Sequence, residues 1–145
     1  MSFQTDSSND SNNNSNNPAG AKPNSPYAHW FGIQVLSANQ TTAKVKMDVQ
    51  AHHLNKFGRG HGGVCLSLAD HACGALLAAI ATDMFYATVT LNSAFFLPVE
   101  EGELLATSTL INRTKSTAHI EAEVTQGGKL LFKASGSFAI RPKRV

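Results

Sequence analysis

One stretch governs what this chain can fold into. From residue 62 to about residue 81, Leu66, Ala69, Cys73, Leu76, Leu77 and Ile80 recur at spacings of three and four, with alanine abundant and β-branched residues scarce. That period predicts a helix of about five turns, and its lack of exposed charge predicts a buried one. Nearly everything around it reads as strand. Upstream, Ile33, Val35 and Leu36 suggest one strand, and Asn39-Gln40 marks a turn. Ala43, Val45, Met47 and Val49 then alternate with Lys44, Lys46 and Asp48, the period of a half-buried strand. Downstream, residues 86–96 (with Val89, Leu91 and Phe95-Phe96), 104–112, 118–125 and 130–140 resemble strands, with turns at 113–116 and at Gly127-Gly128. One helix cannot cover both faces of such a sheet. The expected class is therefore α+β, a curved antiparallel sheet wrapped around one long central helix.

The rest of the sequence sets limits on function. Residues 7–17 are almost entirely Ser and Asn, and Pro18, Gly20, Pro23 and Pro26 follow. Such a segment buries too little apolar surface to offset its ordering entropy, so residues 1–25 are expected to be a disordered tail and 26–145 the folded domain. A net charge of +2 gives no footprint for nucleic acid. No segment combines a basic start, an apolar middle and a cleavage site, and the apolar run at 72–81 is short for a bilayer, so neither a secretory leader nor a membrane span is expected. Cys65 and Cys73 are eight positions apart on the predicted helix, about 12 Å, too far to be joined. Reduced, buried thiols fit a cytoplasmic protein.

The chemistry concentrates at the start of that helix. Gly62 and Gly63 follow His61, and a helix N-terminus with no Cβ in the way can offer free N–H groups to a developing oxyanion. Asp70 follows among Leu68, Ala69, Ala72 and Cys73, where a carboxylate is costly unless paired or facing a cleft. Gly62 and Asp70 are again about 12 Å apart along the axis and cannot serve one small group from a single helix. A shared site needs two subunits with antiparallel helices, hence a two-fold dimer with two equivalent sites. His52-His53 are metal-ligand residue types, but on a strand end they would face opposite sides, with no Cys or carboxylate partner, so no metal is expected. His71 beside Asp70 points about 100° away from it and makes a poor dyad.

Leu54-Asn55, a short loop, His61-Gly62-Gly63 and Leu68-Ala69-Asp70 stand at the spacing of a known motif. The chain resembles, over about residues 27–140, the hotdog-fold acyl-CoA thioesterases of the phenylacetate-degradation type, within the 4-hydroxybenzoyl-CoA thioesterase-like superfamily. The resemblance implies hydrolysis of an aryl- or medium-chain acyl-CoA to free acid and CoA, with CoA as part of the substrate and no separate cofactor. Asp70 matches the catalytic carboxylate, either nucleophile or general base. Gly62 matches the group whose N–H polarises the thioester carbonyl, and Gly63 supports it. Asn55 matches the residue that positions nucleophile or water, and His61 matches a histidine that organises the loop and helix start. Thr88 falls where some relatives hold the water with a serine. Gly74 stands where others use a threonine. The family implies a homodimer assembling into a homotetramer. Arg113 and Lys115, then Lys56 and Arg59, and further Arg141, Lys143 and Arg144, are the candidates to meet the CoA phosphates; each could equally be an ordinary surface charge. Two alternatives stay open: a non-catalytic acyl-CoA-binding module, and a hotdog hydratase or dehydratase, which the motif fits poorly.

Overall fold

A computed structural model of the protein describes residues 25–144. The tail expected over residues 1–25 lies outside them, apart from Ser25, whose hydroxyl caps the first helix through the Ala28 N–H. Helix α1 (Pro26–Phe31) leads into β1 (Gln34–Ala38) and β2 (Thr42–Val49). A single 3-10 turn (Ala51–His53) and a loop precede α2 (Gly62–Ile80), and then come β3 (Met84–Phe95), β4 (Gly102–Arg113), β5 (Thr117–Gln126) and β6 (Lys129–Pro142). All strand pairs are antiparallel, in one six-stranded sheet of order β1-β2-β4-β5-β6-β3, which leaves β1 and β3 at its edges. This is the expected α+β architecture: α2 packs along one face of the sheet, most extensively against β2, β4 and β5.

The apolar period of α2 does what its spacing predicts. Val64, Cys65, Leu68, Ala69, Ala72, Cys73, Leu76, Leu77 and Ile80 are buried against inward residues of the sheet, including Val45, Met47, Leu104, Ile120, Phe132 and Phe138. Burying each large side chain contributes about 1.5–3 kcal/mol. By length and composition alone this 19-residue helix could cross a membrane; its burial beneath the sheet makes it a core helix. Ser108 is fully buried, and its hydroxyl donates to the Ala72 carbonyl at 2.8 Å, tying β4 to the helix. The Gly127-Gly128 turn has both residues at positive φ (56° and 77°), the conformation a two-residue hairpin requires.

Strand β3 is not a regular alternation. Its pairing with β6 slips between Thr88 and Thr90, leaving Val89 as a bulge that is 63% exposed. A bulge changes the parity of a strand. Tyr86 and Thr88 therefore share the helix-facing side with Leu91, Ser93 and Phe95, opposite the buried Ile140, Phe138 and Phe132 of β6. An unbroken alternation would have grouped Val89 with Leu91 and turned Thr88 outward.

Candidate active site

The loop before α2 is built to hold the helix start in place. The Asn55 side-chain oxygen accepts the Phe57 N–H at 2.9 Å and the Arg59 N–H at 3.2 Å, and its backbone bonds both Arg59 and Gly58. Gly60 bridges Leu54 on one side and Val99 on the other, donating to the Val99 carbonyl at 2.7 Å. A Cβ there would lie 2.5 Å from the Val99 side chain, so the position admits only glycine. The His61 N–H then bonds the His53 carbonyl at 2.9 Å.

His61 is the N-cap of α2. Its Nδ1 accepts the Gly63 N–H at 2.9 Å, which leaves the ring proton of the neutral imidazole on Nε2. The cap uses the Gly63 donor. The Gly62 N–H, one position earlier, has no acceptor among the described residues. A Cβ on Gly62 would come 3.2 Å from the Phe95 ring, so this glycine sits against the far end of β3.

Asp70 lies about two turns along α2, half-buried. The Thr88 hydroxyl donates to its Oδ1 at 2.8 Å, a contact that the β3 bulge makes possible. That bond fixes one carboxylate oxygen and leaves the other open. Beside the pair is a cleft of about 210 Å³, lined by Asp70, Gly74, Leu77, Tyr86, Ala87, Thr88 and Phe138. The helical rise still separates Gly62 from Asp70 by about 12 Å.

The two cysteines of α2 are free and buried. Burial pushes the Cys65 thiol up to about 11; burial, with the nearby Asp70 charge, pushes Cys73 up to about 12. His71 is held below the usual histidine value by burial, against an opposing pull from Asp70.

The cation candidates separate into two groups. Arg113 donates to the Ile80 carbonyl, at the end of α2 remote from Gly62, where a cation complements the helix dipole. Arg59 pairs with Glu100. Lys143 pairs with Asp83 at 3.9 Å, and the Arg141 guanidinium donates to the Ser116 and Ile140 carbonyls. Lys56 lies 5.1 Å from the Phe57 ring centre, and Lys115 has no ion pair among the described residues. Lys56, Lys115 and Arg144, none with an ion pair among the described residues, are thus the less committed cations.

The structure corrects one reading and adds two residues. His52 and His53 are not on a strand: the 3-10 turn brings their rings side by side, 3.9 Å between centres. His53 is buried, its Nδ1 accepts the Gln50 N–H at 3.0 Å and its carbonyl holds His61, so its place is under the helix start. The bond between Gly60 and Val99 also escaped the sequence, because nothing local reveals which distant strand end a loop glycine touches.

A sheet wrapped on one helix, a helix start with a free donor and a cleft carboxylate define a class: hotdog-type hydrolases of activated carbonyl compounds. Residues 57–133 match the family described as the thioesterase superfamily. The chain is 30% identical over 115 residues to a 1,4-dihydroxy-2-naphthoyl-CoA hydrolase of Listeria monocytogenes, covering 78% of this chain and 94% of that one. Among solved structures it resembles a conserved protein of Pseudomonas aeruginosa (29% identity, TM-score 0.80, covering 85% of this chain and 99% of that one). It also resembles a point mutant of the phenylacetic acid degradation protein PaaI of Thermus thermophilus (27% identity, TM-score 0.75, covering 79% and 98%). The chain belongs to the thioesterase superfamily. Its activity class is acyl-CoA thioester hydrolysis.

Proposed function

We propose that the protein hydrolyses the thioester of an aryl- or medium-chain acyl-CoA in the cleft beside Asp70, at a site completed by a second copy of the chain. The observation that carries this reading is the Thr88–Asp70 hydrogen bond in the lining of that cleft. A carboxylate so held can attack the thioester carbon directly, or take a proton from a water that attacks it. Either route puts negative charge on the carbonyl oxygen, which a Gly62 N–H would receive. The carbon–sulfur bond then breaks, CoA leaves as thiolate, and water supplies the hydroxyl of the free acid. Thiolate is a good leaving group, so no strong general acid is required. Gly63 and His61 shape the helix start. The Asn55 oxygen is occupied by the loop, and its amide NH2 is the part left to reach a ligand. Lys56 and Lys115, then Arg59 and Arg113, are the groups proposed for the CoA phosphates.

Two features support the second copy. Gly62 and Asp70 cannot meet within one helix. Strand β3 is also an edge, with Phe85 (60%), Val89 (63%), Phe95 (55%) and Phe96 (53%) exposed along or just beyond it. A long apolar edge invites pairing with another strand. The proposed unit is a homodimer, with a homotetramer as the larger assembly. The likeness to PaaI favours an arylacetyl group, and the free buried thiols favour a cytoplasmic setting.

The test is a panel of phenylacetyl-, benzoyl- and straight-chain acyl-CoAs, followed by release of free thiol. Turnover on at least one, lost in Asp70→Asn with binding largely kept, is expected. Binding without turnover would make the protein an acyl-CoA-binding module, and no turnover with Asp70→Ala equal to wild type would end the proposal. Mixing inactive Asp70→Ala and Gly62 variants should restore part of the activity in confirmed heterodimers. Failure to do so would exclude the shared site.

A further inference from the structure

Gly74 is the unexplained residue of α2. It sits in mid-helix, one turn beyond Asp70, where glycine costs about 1 kcal/mol relative to alanine. Nothing lies within 4 Å of where its Cβ would be, so packing within the chain does not demand it. It lines the same cleft as Asp70 and Tyr86. Leu77 and Phe138, both buried, line it as well. The Tyr86 hydroxyl has no hydrogen-bond partner among the described residues. The space, about 210 Å³, is below the roughly 300–1,000 Å³ of sites that enclose a drug-sized ligand. It can hold an acyl group and cannot hold CoA.

We infer that Gly74 is a specificity-determining residue: the side chain it lacks makes the room in which the acyl group lies, and Tyr86 closes the far wall. This rests on the thioesterase reading of the Asp70 cleft and adds to it the residue that limits acyl size. The argument is steric. A thioester carbon beside Asp70 directs its acyl group either out of the cleft or down past position 74, and any side chain there would fill the second path.

The experiment measures kcat/KM for acetyl-, phenylacetyl- and octanoyl-CoA with wild type, Gly74→Ala, Gly74→Val and Tyr86→Ala. The ratio of phenylacetyl- to acetyl-CoA should fall severalfold in Gly74→Ala and at least about tenfold in Gly74→Val, the scale of one or two misplaced methylenes in an apolar pocket. Tyr86→Ala should raise octanoyl- relative to phenylacetyl-CoA. Gly74→Ala removes a helix-breaking residue into open space, so its melting temperature should not fall, and a folding defect cannot mimic the result. Wild type inactive on all three thioesters would overturn the thioesterase reading itself. Wild type active with ratios unchanged in both Gly74 variants would overturn only the assignment of Gly74. So would loss of the dimer by light scattering in Gly74→Ala without a change in ratio, since the glycine would then serve contact between helices.

Discussion

The Gly62 N–H can be removed with almost no other change, because of where it sits. Gly62 is the first residue of α2, and its N–H has no partner to lose. Proline is well suited to that position, since its fixed φ fits the helix and its missing donor is one the helix does not use. The residue before a proline must be extended, and His61 already is, at φ −59° and ψ 140°. Gly62→Pro should therefore fold, with the His61–Gly63 cap intact. Gly62→Ala is the control: its Cβ would meet the Phe95 ring at 3.2 Å, a contact that a small shift of that 55% exposed ring relieves. The difference between the two variants isolates the donor and the carbon that replaces its hydrogen. Losing one oxyanion donor costs about 2.7–4 kcal/mol, or roughly 10²–10³ in kcat. Steady-state thiol release on the best thioester of the panel should show that gap between Gly62→Pro and Gly62→Ala, with equal melting temperatures. A gap below threefold would show that the helix start does not stabilise the oxyanion, and the mechanism would need another donor.

Other consequences follow from the same geometry. Thr88→Val keeps the β-branched shape on β3 and deletes a hydrogen bond to a carboxylate, a bond worth about 1.5–3 kcal/mol. As a positioning residue, Thr88 should affect kcat by about tenfold or more with little change in KM, and Thr88→Ser should restore most of it; equal rates for all three would remove Thr88 from the site. His53 and His71 are both held below the ordinary histidine value, His53 by burial and then by His52, His71 by burial against Asp70. The unfolded chain then takes up protons first as the pH drops, so stability should be full above about pH 6.5 and decline below it. Chemical denaturation at pH 7.5 and 5.5 reads this directly, with His53→Gln expected to flatten the slope. Cys65 and Cys73, raised to about 11 and 12, should ignore a chromogenic disulfide reagent in the native protein at pH 8 and react on denaturation. Rapid native labelling of both would contradict their burial.

The outline of the fold was legible because two periods are written plainly in the chain. Apolar residues at three and four give α2, and the alternation of Ala43, Val45, Met47 and Val49 gives β2; both follow from local geometry that any tertiary context must respect. Glycine pairs marked the hairpin and the helix start. The spacing of Gly62 and Asp70, which depends only on helical rise, is what the proposal of a site shared by two subunits rests on. Long-range facts were not legible. Which strand borders the carboxylate depends on the order β6-β3 at the sheet edge, and Thr88 reaches Asp70 only because a bulge at Val89 reverses the parity of β3. The side-by-side rings of His52 and His53 required a 3-10 turn where a strand end was read. Local sequence thus determined the elements, the motif and the candidate carboxylate. Tertiary structure decided which groups meet, because a one-residue change in register redirects every side chain after it, and no local pattern records that change.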